Sequence, residues 1–120
     1  MFTEYGVLLL TLFAGHYLVD FALQTSAMDQ GKNRRSVPKQ YDPVIHGPLQ
    51  RVWLHYLTAH ASIHGLVVGI VLNPTFGVIE FVLHWLIDVA KCERWFGIHT
   101  DQILHLLCKV VYVAVILRWA

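Results

Sequence analysis

The chain has 120 residues, of which 56% are hydrophobic and only 14% charged, and its formal net charge is +1. Soluble domains carry about 25% charged residues, so the composition excludes an ordinary soluble domain and points to the membrane. A near-neutral charge offers no basic surface for nucleic acid, the length allows one domain, and the two cysteines, Cys92 and Cys108, have no disulfide-framework or zinc-ribbon spacing and read as free thiols.

The first apolar segment predicts a helix over residues 5–24. Its first charge is Glu4 rather than a basic n-region, and it ends in His16 and Asp20 rather than a cleavage site of small residues. It therefore reads as a retained membrane helix, not a signal peptide. A polar loop follows over 25–49, where Pro38, Pro43 and Pro48 interrupt any long helix. Three further helices are predicted over 50–72, 75–91 and 101–119. The tight turn Asn73-Pro74-Thr75 and the segment 92–100, with Gly97, connect them. Crossing a bilayer core takes about 20 apolar residues. The third helix is short by that measure and contains Glu80, so it reads as a thin or partial span. The expected fold class is all-α, a polytopic membrane four-helix bundle forming a single domain over 1–120.

Basic residues orient this bundle. Lys32, Arg34, Arg35, Lys39 and Arg51 lie between the first two helices, and Lys91 and Arg94 between the last two, while only Arg118 lies near the opposite end. By the positive-inside rule these two connections are cytoplasmic and both termini lie outside, in an inner-membrane, multi-pass topology.

Four pairs of metal-ligand-type side chains stand four residues apart: His16 with Asp20, His60 with His64, His84 with Asp88, and Asp101 with His105. That spacing puts both members on one face of a helix, one turn apart. In the expected topology three pairs share one depth in the cytoplasmic half, and His60 lies about 12 Å into its helix, at 1.5 Å per residue. Ionisable groups inside membrane helices are expensive and usually functional. Burying several carboxylates without a cation would be strongly unfavourable, and a divalent ion is their natural partner. All eight paired residues are thus expected metal ligands at a polar His/Asp centre. Imidazole and carboxylate without thiolate suit zinc, manganese or iron, as one ion or two. The competing explanation is a polar network or proton path without metal.

Gln24, one turn beyond Asp20, and Gln102, beside Asp101, are candidate substrate-binding residues, each with an ordinary interfacial role as the alternative. Lys91 and Lys32 join them as anion binders. Lys91 could equally snorkel at a helix end, and Lys32, Arg34 and Arg35 could contact lipid headgroups or simply fix topology. His46, His55 and His99 lack pairing and read as loop or interface residues. Trp53, Trp85, Trp95 and Trp119 fit aromatic belts.

The segments Gly15-His16-Tyr17-Leu18-Val19-Asp20-Phe21-Ala22-Leu23-Gln24-Thr25, His60-x-x-x-His64, His84-Trp85-Leu86-Ile87-Asp88-x-x-Lys91 and Asp101-Gln102-x-Leu104-His105 resemble, in order, the motifs of a small family of bacterial and phage membrane proteins catalogued as domain of unknown function 3307. Met28 and Lys32 also resemble its loop pattern. The resemblance covers most of the chain outside residues 33–51, and it implies that the eight paired residues form the site. It implies no activity. A more distant likeness is to inner-membrane proteins described as metal-dependent hydrolases, which also place His and Asp on membrane helices.

Two functions follow as expectations. One is a metal-dependent hydrolase acting on a lipid or other phosphoester at the cytoplasmic face, with Asp20 or Asp101 as general base. The other is a non-enzymatic phage or bacterial membrane protein that conducts ions or protons, or binds a partner in host interference. Membrane lipids are the expected surroundings, assembly as a homo-oligomer stays open, and no protein partner is legible. Soluble-enzyme signatures such as GxSxG, Walker, Rossmann and HExxH motifs are absent.

Overall fold

The structure, a computed structural model, describes residues 2–35, 42–46 and 52–119. The expectations placed on Pro38, Lys39, Pro48 and Arg51 fall outside those residues. The described residues are all-helical, with no strand: α1 (Phe2–Tyr17), continued by a π-helical turn (Leu18–Ala22), then α2 (Ser26–Gly31), α3 (Pro43–His46), α4 (Val52–Val71), α5 (Pro74–Cys92) and α6 (Ile98–Trp119). Three segments are long and apolar enough to cross a membrane: Thr3–Ala22, Val52–Val71 and Ile98–Trp119.

Local chemistry sets the boundaries. Asn73 caps α5, its Oδ1 accepting the Phe76 N–H at 3.0 Å, and Pro74 takes the first-turn position where its missing N–H costs nothing. The end of α5 is a Schellman motif. The Trp95 N–H returns to the Ala90 carbonyl at 3.1 Å and the Arg94 N–H to Lys91 at 2.9 Å. That geometry holds Arg94 at φ 64°, a left-handed conformation in which glycine is the usual residue. Helix α6 then starts at Ile98, earlier than the expected 101, because the Asp101 N–H bonds the Gly97 carbonyl and closes a first turn.

The four long helices close a ring in which α1 touches α4 and α6, and α5 touches α4 and α6. The tightest approach is between α4 and α5. A Cβ built on Gly65 would lie 2.8 Å from the Gly77 carbonyl oxygen, and one on Gly77 would meet Gly69 Cα at 2.9 Å. Small residues let these backbones meet, as is usual at membrane helix interfaces.

The ring has two unlike halves. Leu12, Val68, Tyr112 and Val113 form an apolar core, packed by Tyr5, Leu8, Val71 and Phe76. These come from the early part of α1, the late part of α4, the start of α5 and the late part of α6. The paired residues lie at the late ends of the first helix and α5, at the start of α6 and midway along α4. Buried positions include eleven polar or charged side chains against nine hydrophobic ones, whereas Leu10, Leu66, Ile70, Val78 and Val111 point outward. Apolar exterior and polar interior invert the soluble pattern, which suits lipid surroundings.

The segment 25–49, expected as a plain loop, contains two short helices. Thr25 caps α2, its Oγ1 accepting the Met28 N–H at 3.1 Å, and α2 packs on α4. A Cβ on Gly31 would fall 2.5 Å from the Tyr56 ring, so only glycine allows this approach without a shift of the ring. Beyond it, Arg34 and Arg35 both bond the Glu93 carboxylate. Residues 25–35 thus form a strap across the end of α5.

Candidate metal centre

All eight paired residues are buried in one place, none more than 5% exposed. Asp20 is the hub. It lies on the π-helical turn that ends the first helix, where the Leu23 N–H reaches back five residues to Leu18 at 2.8 Å. Such turns are inserted mostly at functional sites, where the wider turn re-aims a side chain. Asp20 Oδ1 stands 3.0 Å from His60 Nε2, 3.2 Å from His64 Nε2 and 3.7 Å from His84 Nε2. Its other oxygen accepts from Gln102 Nε2 at 2.7 Å and lies 3.6 Å from His16 Nε2. Gln102 also donates to Asp101 Oδ2 at 3.0 Å, and its Oε1 lies 2.8 Å from His16 Nε2. The His64 and His84 rings stack with centroids 3.6 Å apart, and His84 and His105 with centroids 4.1 Å apart.

Three groups place their ligand atoms within 4.8 Å of one another: Asp20, His60, His64 and His84; His16, His84 and His105; and Asp20, Asp101 and His105. Three imidazoles and a carboxylate are one ion's tetrahedral complement. His84 Nε2 and Asp101 Oδ1 have no hydrogen-bond partner despite full burial. A buried polar atom without a partner is expensive, and a cation between these donors would remove the penalty.

Seven of the eight paired residues belong to these groups, and Asp88 is the eighth. It belongs to none of the three groups, and its Oδ2 accepts Lys32 Nζ at 2.9 Å. Lys32, expected at the headgroups or as an anion binder, is only 2% exposed and donates a second bond to Gln24 Oε1 at 2.7 Å. Burial alone would lower its pKa, but the Asp88 carboxylate outweighs burial and raises it, so the ammonium persists. Arg34 and Arg35 fix the strap to Glu93 in the structure; their contact with headgroups stays an expectation. The Glu93 carboxyl is held down to about 2, chiefly by its hydrogen bond from Arg34.

A second buried network went unread in the sequence. Glu80, taken there only as a mark against a full span, is 1% exposed. It accepts from Lys109 Nζ and from Tyr112 Oη, the latter at 2.8 Å, and its Oε1 lies 3.4 Å from His84 Nδ1. The signal was present. Glu80 precedes His84 by four residues and Lys109 follows His105 by four, so each pair continues into a ladder of three.

Residues 8–119 match the model of a family described as protein of unknown function, DUF3307. The chain belongs to that family. The DUF3307 match spans every residue of the centre, both buried lysines and the strap, and the family description carries no activity. No curated protein and no solved structure matches the chain.

In this DUF3307 protein a cavity of about 300 Å³ opens beside the hub, lined by Asp20, Gln24, Ser26, Lys91, Ile98 and Gln102 among others. Three of the four expected substrate-binding residues, Gln24, Lys91 and Gln102, therefore share one space with Asp20. Lys91 also stands 3.7 Å from Asp101 Oδ2. Of the unpaired histidines, His55 and His99 are exposed and His46 lies on α3. Trp53 and Trp85 pack on each other at 6.3 Å, while Trp95 and Trp119 are exposed.

Proposed function

We propose that this protein is a membrane-embedded metalloprotein, a four-helix bundle holding a divalent ion of zinc, manganese or iron, and that it hydrolyses a phosphoester at the cytoplasmic face of the inner membrane. The observation that carries the reading is the approach of Asp20, His60, His64 and His84 to within 4.8 Å at full burial, beside a cavity that reaches Asp20. An ion at that position supplies Lewis acidity and acidifies water to near neutral pKa. Asp20, engaged on both oxygens, acts as ligand. Asp101, whose Oδ1 lies 3.3 Å from His105 Nε2 without a formed hydrogen bond, is the better general base. Gln102 bridges the two and orients both. Lys91 and Gln24, on the cavity wall, receive the anionic group. The positive-inside rule favours this end of the bundle at the cytoplasmic headgroups, which supports a lipid phosphoester as the substrate class.

The test is hydrolysis of lipid and soluble phosphoesters by protein in nanodiscs, with and without added zinc, manganese or iron. Turnover that requires metal and falls at least about 100-fold in Asp101→Asn, a size typical of losing a general base, supports the reading. Turnover that survives chelation and Asp20→Asn contradicts it. A metal-free polar network is the second reading. It is favoured by the Lys32–Asp88 and Lys109–Glu80 pairs, which neutralise two buried carboxylates without any ion.

A further inference from the structure

We infer that the centre holds a single divalent ion and that Lys32 limits it to one, its ammonium occupying the cation position beside Asp88; this rests on the metal reading above. Two observations carry it, one of charge and one of geometry.

Four carboxylates are buried in the ring: Asp20, Glu80, Asp88 and Asp101, none more than 5% exposed. Among the described residues two buried ammonium groups face them. Lys109 pairs with Glu80 and Lys32 with Asp88. The histidines that ligate a metal are neutral. Asp20 and Asp101 remain, and they are the two carboxylates of the ligand groups. Their combined charge is that of one divalent cation with the sign reversed. Lys91 stands 3.7 Å from Asp101 but its side chain is 21% exposed, so water screens its contribution. A second divalent ion would leave a surplus of positive charge among buried side chains, where the lower dielectric makes it costly.

The geometry says where that second ion is excluded. Asp88 Oδ2 lies 3.5 Å from His84 Nε2 and 3.6 Å from His60 Nε2, and Oδ1 lies 3.2 Å from His105 Nε2. A carboxylate among three imidazoles is a metal donor set in its own right. Lys32 Nζ sits on the same oxygen at 2.9 Å. The strap delivers it there: Gly31 permits the close approach to Tyr56, and Arg34 and Arg35 fasten the far end to Glu93. Lys32 is a cationic plug, held against a carboxylate that would otherwise recruit a cation.

The experiment loads detergent-purified protein with manganese(II) and measures both the bound equivalents and the electron paramagnetic resonance spectrum. Wild type is expected to bind one equivalent with an uncoupled spectrum. Lys32→Gln is expected to bind two, with exchange coupling between the ions. The double variant Lys32→Gln/Asp88→Asn, which removes charge and partner together, returns to one. Two coupled ions in wild type overturn the inference, and so does a single equivalent in folded Lys32→Gln. If Lys32→Gln does not fold, Arg34→Gln/Arg35→Gln, which frees the strap that delivers Lys32, is expected to bind the second ion, and a single equivalent in that folded variant overturns the inference. No bound metal in any form would instead overturn the metal reading on which the inference rests.

Discussion

Glu80 and Lys109 show what a buried pair demands of its members. Each is 1% exposed, so removing one leaves the other charged in a site without water. Glu80→Gln should destabilise the protein by about 3–5 kcal/mol, while the double replacement Glu80→Met/Lys109→Met should recover most of that loss. Chemical unfolding in detergent measures both, and equal losses in the single and double variants would show that packing matters rather than charge. Glu93 predicts a pH dependence of defined sign. Its carboxyl is held at about 2, chiefly by Arg34 and then by Arg35, against an ordinary 4.5. A depressed carboxylate contributes stability that is full above its unfolded value and is lost as pH falls through its folded value. The thermal midpoint of wild type should therefore exceed that of Glu93→Gln at pH 6, with the gap closing as pH approaches 2. A gap that is constant down to that pH would mean the strap is not held by the ionised carboxylate. At this scale the sequence is legible where partners lie one helical turn apart. His16 with Asp20 and His84 with Asp88 are visible for that reason. Lys32 reaches Asp88 across 56 residues of chain, and no local pattern encodes that pairing, so it read as a loop cation.

Among the elements, the ends of helices hold the testable strain. Arg94 sits at φ 64°, where a side chain crowds its own carbonyl. Arg94→Gly should stabilise the protein by about 1 kcal/mol, read as a higher thermal midpoint, and a decrease would show that the Arg94 side chain makes a contact worth more than the strain. The α4–α5 seam predicts the reverse. Gly77→Val would drive a side chain into the Gly65 carbonyl and Gly69, whose present approaches to a Cβ are 2.8 and 2.9 Å. The helices must part, which moves His84 and Asp88 away from His60 and His64, so the variant should lose metal affinity although it touches no ligand. Retained affinity would mean that the centre tolerates a wider seam. The existence of four long helices was legible from apolar length, and the Asn73-Pro74 turn from its chemistry. The π turn at Asp20 was not, because helical spacing alone assumes a regular α-helix. The start of α6 was missed because Ile98 and Thr100 flank polar residues, and only the Gly97 carbonyl bond reveals the extra turn. Gly65 and Gly69 form a small-residue spacing that could have marked the seam.

At the scale of the whole molecule, an apolar half and a polar half divide the same four helices. The division follows from alternating chain direction: the first helix, α5 and α6 contribute ligands at the same end, and α4 midway along its length. Matched depth was therefore readable from segment positions once the direction of each helix was assigned. What the sequence could not supply was the charge balance, since two of the four buried carboxylates are answered by lysines from distant elements. In that balance Asp88 is answered by Lys32 and Glu80 by Lys109. Membership of DUF3307 extends over the whole centre without naming a reaction, so the chemistry rests on the site itself. The most direct measurement is elemental mass spectrometry of detergent-purified protein, prepared without chelators, beside a His60→Ala/His84→Ala variant shown by circular dichroism to keep its helices. The account predicts one equivalent of a transition metal in wild type and none in the variant. Metal-free wild type that also fails to bind added zinc, manganese or iron would contradict it.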